Sequence, residues 1–393
     1  MALTSSQFLL RLRPGLSSVS ALRGSVLCAA AISFCVACAR HRQDSPPILP
    51  TQENQYREAS TLLGLAWRPE QFVDPVHRDE ILSVLDDLIR DGHLLTRSED
   101  PSSPDPTAPL LAQQQLLRDA RDRFRGGDTD GAGSKLRGLT TNCISCHTRS
   151  HLSTSFVSAL QTDARSPQSI LTAGRLDLAR RDYESAERLF KQAAALTKGS
   201  RDSFVATELW LLSRISGGVA FTEIVSDLDA LKADLQFEGA EDSAAVSWRR
   251  ELNELENRPA PNVHPVTQAQ DLLNPVLQAQ TVRADELHLV KTAYALRLLE
   301  DSSATLPRTD LSRKATYLTA VAYLHLPLPD YSVMGEQLLV QTIREYPNSI
   351  EARRAYQLFE DMIEVGSGRP SGTVLSAEQI RSNAQLRRLA FGK

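Results

Sequence analysis

Apolar residues along this chain recur at steps of three and four, the spacing that gathers them on one face of an α-helix, and the fold class predicted is all-α. Residues 52–66 carry Tyr56, Ala59, Leu63 and Ala66 on one face and stop before Pro69. Residues 77–91 carry Ile81, Val84, Leu85 and Leu88 and stop before Gly92, and residues 109–125 carry Leu110, Leu117, Ala120 and Phe124. A fourth helix follows, in which Ala132, Leu136, Leu139, Cys143, Cys146 and His147 succeed one another at the same steps. Asp128 or Thr129, after Gly126-Gly127, supplies its N-cap. Loops rich in Pro, Ser and Asp, such as Ser98 to Pro109, separate the helices.

Beyond residue 165 the chain is rich in Ala and Leu at helical spacing and shows no further metal-ligand or nucleophile constellation. Residues 257–266, with Pro259, Pro261 and Pro265, break it into two helical stretches, 166–256 and 267–363. Residues 364–393 are read as a linker, Gly366 to Gly372, and a basic helix, Ala377 to Leu389, whose Arg381, Arg387 and Arg388 form a solvated face.

With 393 residues, 41% hydrophobic and 23% charged, the chain is too long for one small module and too apolar for a disordered segment. Arg11, Arg13 and Arg23 precede an apolar run from Gly24 to Ala37, shorter than the ~20 apolar residues that span a bilayer and of the size of a signal-peptide core. Residues 1–37 are therefore read as an export signal. Without them 41 basic residues face 48 acidic ones, a charge of −7, which argues against nucleic acid as a partner. The run ends Cys35-Val36-Ala37-Cys38, which resembles the bacterial lipoprotein box, and that resemblance implies lipidation of Cys38. Cys35 stands where leucine is usual, so ordinary cleavage after Ala37 and a retained membrane anchor stay open as alternatives. Residues 38–51, with Pro46, Pro47 and Pro50, read as a semi-rigid tether. The expected location is the periplasm, lipid-anchored to the membrane; Ala39, where an aspartate would retain many lipoproteins at the inner membrane, points to the outer one.

The most specific motif is Cys143-Ile144-Ser145-Cys146-His147. Two thiols one helical turn apart suit thioether bonds to the two vinyl groups of haem, and the adjacent imidazole ligates iron from the same side. One covalently attached haem c is the cofactor predicted, with Cys143 and Cys146 as attachment sites and His147 as proximal iron ligand. A zinc half-site would need a second ligand pair at matching spacing, and a thioredoxin-like redox pair a βαβ surrounding; neither context is present.

Four helices with this motif on the last resemble class II c-type cytochromes, the cytochrome c prime family, over residues 52–155. The stretch from Phe124-Arg125-Gly126-Gly127-Asp128 through Leu136 and Leu139 to the Cys143 motif is similar to that family's last loop and helix. The resemblance implies an up-and-down four-helix bundle with haem near one end and a distal side lined by the first helix. Here that helix, with Ala59, Leu62 and Leu63 inward, holds neither Met nor His, which leaves two readings. One is a five-coordinate iron under an apolar roof. The other is ligation by His77, four residues before Ile81, or by His93, four after Ile89. His151, at i+4 from His147, emerges on the same helix face and cannot reach the opposite side of the iron; it and Arg149 fall near a propionate or at the surface.

Gly174, Ala186, Phe190 and Ala193, at successive offsets of 12, 4 and 3 with Asp182-Tyr183 in the turn, resemble one tetratricopeptide repeat. A second, degenerate copy runs from Thr319 to Ala355 through Leu339 and the Tyr346-Pro347-Asn348 turn. Such TPR-like pairs imply a concave surface for a protein segment; plain helical hairpins are the alternative. The function expected is a membrane-anchored electron carrier that serves a redox partner protein. The alternatives are a sensor of nitric oxide or carbon monoxide and a scaffold of an envelope complex. Catalysis of the peroxidase kind would need placed distal acid–base groups, for which the first helix offers only Arg57 and Glu58.

Overall fold

The computed structural model describes residues 62, 64–91, 107–149, 166–258, 262–279, 288–303, 306, 309–365 and 377–392. Every regular element among them is a helix. After a helical stretch ending at Ala66 come the short α1 (Pro69–Phe72), a 3-10 turn (Pro75–His77), α2 (Arg78–Asp91), α3 (Thr107–Arg125) and α4 (Thr129–Arg149). The rest comprises α5 (Pro167–Ala179), α6 (Tyr183–Leu196), α7 (Arg201–Gly217), α8 (Phe221–Leu235), α9 (Gly239–Glu256) and α10 (Pro265–Ala279). It continues with α11 (Leu289–Ser303), α12 (Asp310–His325), α13 (Pro329–Glu345), α14 (Ile350–Val365) and α15 (Ala377–Phe391).

Local chemistry explains the starts. Ser166 caps α5 in a reciprocal pair with Ser169, Asp182 accepts the Ser185 N–H at the head of α6, and Ser200 caps α7 through Ser203. From α5 onward most helices pack on the next, in the manner of stacked helical pairs, but α7 meets α11 more extensively than it meets α8, and α9 also meets α11. Within the first pair the chains come very close: a Cβ on Gly174 would stand 2.5 Å from the Phe190 ring, so only glycine admits that ring. The Gly174 and Phe190 positions singled out in the sequence therefore touch across one hairpin.

The described residues, from Leu62 onward, belong to one compact unit with two cores. The larger is made by α5 to α15 and contains Trp210 and Trp248, the latter stacked on Phe204 at 5.0 Å. The smaller joins Leu62, Leu65, Ala66 and Phe72 to Ile81, Leu85 and Ile89 of α2, to Leu116, Leu117, Ala120 and Phe124 of α3, and to Ala132, Leu136 and Leu139 of α4. Its remaining member is Val333, from α13. A helix expected in the second helical stretch thus packs on both α3 and α4.

Candidate functional site: helix α4

Asp128 starts α4 by accepting the Gly131 N–H at 2.9 Å on one oxygen and Arg123 Nη1 at 2.7 Å on the other. Of the two caps the sequence offered, Asp128 makes the bond. The helix then runs unbroken from Thr129 to Arg149. At about 100° per residue, positions 143, 146 and 147 continue the face of Ala132, Leu136 and Leu139, all three buried in the smaller core. Thr140, Thr141 and Ile144 are buried as well. The side chains of Cys143, Cys146 and His147 lie outside the described residues, as do those of Arg149 and His151.

The opposite face of α4 is covered too, which the amphipathic pattern does not anticipate. A Cβ on Gly138 would fall 2.4 Å from Val333 Cβ, so the missing side chain lets α13 lie against the backbone of α4. Flanking that contact, Lys135 pairs with Glu336 of α13 and with Asp119 of α3, the latter at 3.3 Å. Arg137 reaches Asp330 of α13 at 3.2 Å and the Ala66 carbonyl at 3.2 Å. Burial would raise the Asp119 carboxyl, but Lys135 and Arg123 outweigh it and hold it below the ordinary range. Burial would likewise lower the Lys135 ammonium, and Glu336 with Asp119 hold it above its usual value instead. The sequence signal for this second side is Gly138, the small residue that meets Val333.

The structure does not bring His77 to the motif. It sits in the turn before α2, with Nδ1 3.3 Å from Glu80. Its neighbour Arg78 donates to the Arg125 carbonyl at the far end of the α3–α4 hairpin. Cys143 lies fourteen residues along α4 from Thr129, about 20 Å away. His93, Ala59, Leu63 and Cys38, with the expected signal and tether of residues 1–51, lie outside the described residues. Arg381, Arg387 and Arg388 are exposed on α15, whose other side meets α13 and α14.

Two observations bear on whether this neighbourhood suits a porphyrin. The face that carries positions 143, 146 and 147 is apolar in its described part, as a macrocycle requires. Beside α4, two buried donors have no hydrogen-bond partner, Trp67 Nε1 and Arg175 Nε, and a ligand with acceptor oxygens would complete them. Among the described residues no cluster of three or more His, Cys, Asp or Glu could hold a metal ion by itself, and no helix is long and apolar enough to cross a membrane. An open groove between α8 and α9 is lined by Lys232, Val246, Arg249 and Asn253, and its cations are already paired, Arg249 with Asp229 at 3.1 Å and Lys232 with Asp242 at 2.7 Å. No family model matches the chain, nor does any curated protein or solved structure.

Proposed function

We propose that the chain is a c-type cytochrome of the bacterial envelope, lipid-anchored through Cys38, which carries one haem c on Cys143 and Cys146 with His147 as proximal ligand and passes electrons to a partner protein. The observation that carries this reading is the complete Cys-x-x-Cys-His sequence on a continuous helix, on the face that forms the smaller core. Bound haem supplies a one-electron ferric/ferrous couple. The chain's own part is to hold the porphyrin rigidly and away from water: α4 is clamped between α3 and α13, and small positional change at the iron favours fast electron exchange. The four-helix bundle implied by the cytochrome c prime resemblance, and TPR-like pairs offering a surface to a partner, belong to the same proposal.

The distance of His77 from the motif favours a second reading, an open distal side that binds nitric oxide or carbon monoxide. Both are tested on full-length protein made in cells competent in cytochrome maturation. A pyridine haemochrome spectrum and an intact mass increased by one haem are expected, and their absence overturns the proposal. A shift of the ferrous Soret band under carbon monoxide selects the gas-binding reading; an unchanged band selects the electron carrier with a second axial ligand.

A further inference from the structure

The side-chain amide of Gln114, on α3, is shut in with nothing to bond. The residue is 4% exposed, and both of its polar atoms, Nε2 and Oε1, are buried without a hydrogen-bond partner. An orphaned donor and an orphaned acceptor each cost stability in the protein alone, which asks for a group that completes them. The place of the amide along the bundle follows from the hairpin. Helices α3 and α4 run antiparallel about Gly127, and Asp119 and Lys135, each eight residues from that glycine, pair at 3.3 Å. Gln114 lies thirteen residues before Gly127, level with Thr140, thirteen after it. Cys143 is three residues further, about 4.5 Å along the α4 axis. Thr140 does not serve the amide, since its hydroxyl donates to the Leu136 carbonyl at 2.8 Å. The direction of the side chain follows from the helix. Leu117, three residues on, belongs to the smaller core, and Arg121, seven on, binds Asp86 of α2 at 3.1 Å, so Gln114 turns inward on the α2 side of α3.

We propose that Gln114 holds a carboxylic acid at the motif end of the smaller core and, resting on the cytochrome reading, that this acid is a propionic side chain of haem. A carboxylic acid accepts from Nε2–H and donates to Oε1, so one group completes both atoms; a diatomic ligand on iron completes only the donor. Haem carries its vinyl and propionic substituents on opposite edges of the ring. A macrocycle bonded through its vinyl edge to α4 therefore turns its propionic edge across the bundle, toward the helices between which Gln114 stands.

The test compares wild type with Gln114→Leu, close in size but without polar atoms, and with Gln114→Asn, which keeps the amide. Each is made in the haem-loaded full-length protein and in a haem-free form carrying Cys143→Ala and Cys146→Ala. Haem-free Gln114→Leu is expected to melt at or above its parent, because an orphaned amide has gone. Haem-loaded Gln114→Leu is expected to melt below its parent. In redox-difference infrared spectra its propionic carbonyl band, identified with haem isotope-labelled at the propionates, moves to higher wavenumber as the hydrogen bond is lost; Gln114→Asn restores part of both. The infrared band decides by itself where the haem-free form fails to fold. The proposal is overturned if the band stays in place, or if Gln114→Leu changes both forms equally, as it would for an amide completed by a trapped water. A shifted ferrous C–O stretch with an unmoved propionic band overturns it as well and gives the amide to the ligand on iron. A negative haemochrome assay of wild type sinks the cytochrome reading itself; a positive one with an unmoved band sinks this inference alone.

Discussion

In α7 nearly every residue from Ser203 to Ile215 is buried, among Phe190, Trp248, Ile224 and Leu228 of its neighbours. Several of its polar groups are satisfied close by: Thr207 back-bonds to the Ser203 carbonyl at 2.9 Å, Ser213 to that of Trp210 at 2.7 Å, and Arg214 binds Glu187, Glu223 and Asp227, although the Trp210 Nε1 and Arg214 Nε donors stay buried without a hydrogen bond. In α4 the stretch from Leu136 to Thr141 is almost as well covered, but by other means. There the contacts are a glycine against Val333, threonines, and ion pairs to residues some two hundred positions away. Large apolar side chains hold α7 and would tolerate many changes at its rim; fitted backbones and matched charges hold α4 and tolerate few.

The heaviest blow to this contrast falls on the larger core. Trp248→Ala removes the ring stacked on Phe204 and is expected to cost about 3–5 kcal/mol in urea unfolding. A loss below about 1 kcal/mol would mean that the large-side-chain packing around α7 is looser than drawn. Lys135→Met leaves Glu336 without its partner and Asp119 with Arg123 alone, and should cost about 3 kcal/mol, most of it recovered when Asp119→Asn and Glu336→Gln are added. If the triple variant stays as weak as the single one, the seam is held by shape rather than charge. Gly138→Ala is expected to cost about 1–3 kcal/mol by forcing α13 outward, and a double-mutant cycle with Val333→Ala should show the two sites coupled.

The smallest effects come from protons and have opposite signs in the two regions. Asp119 is held below its unfolded value, so its contribution is present above that value and disappears as the pH falls through the folded one. Glu251, buried in the larger core beside His288 at 3.0 Å and Lys291, is raised by burial, and its partners only partly offset this. Its contribution is therefore greatest below its unfolded value and is lost as the pH rises through the folded one. Acid unfolding of Asp119→Asn should lose its steepness, whereas Glu251→Gln should flatten the curve on the upper side of the carboxylate range; like-signed changes in both would remove the distinction.

Much of the helical order was legible because it is local. The limits of α2 and α3, the start of α4 at the Asp128 cap and the break near Pro265 all follow from spacing and from capping or small residues within a few turns, and Gly174 and Phe190, singled out by their spacing, meet across one hairpin. The α4 seam was not legible for a physical reason. Lys135, Arg137, Asp330 and Glu336 are charged residues of the kind that usually face solvent, and nothing in a single sequence matches partners two hundred positions apart. Arg175 was invisible for the same reason, since an arginine on α5 looks like any surface arginine until Asp330 and Arg137 are found beside it.

The seam between α4 and α13 also sets an order of assembly. The α3–α4 hairpin closes over a turn of three residues and is a local contact, whereas α13 starts only at Pro329. Until α13 arrives, the side of α4 that carries Gly138 stands uncovered. Closing that side of α4 therefore waits for Gly138 to meet Val333, 195 positions further along the chain.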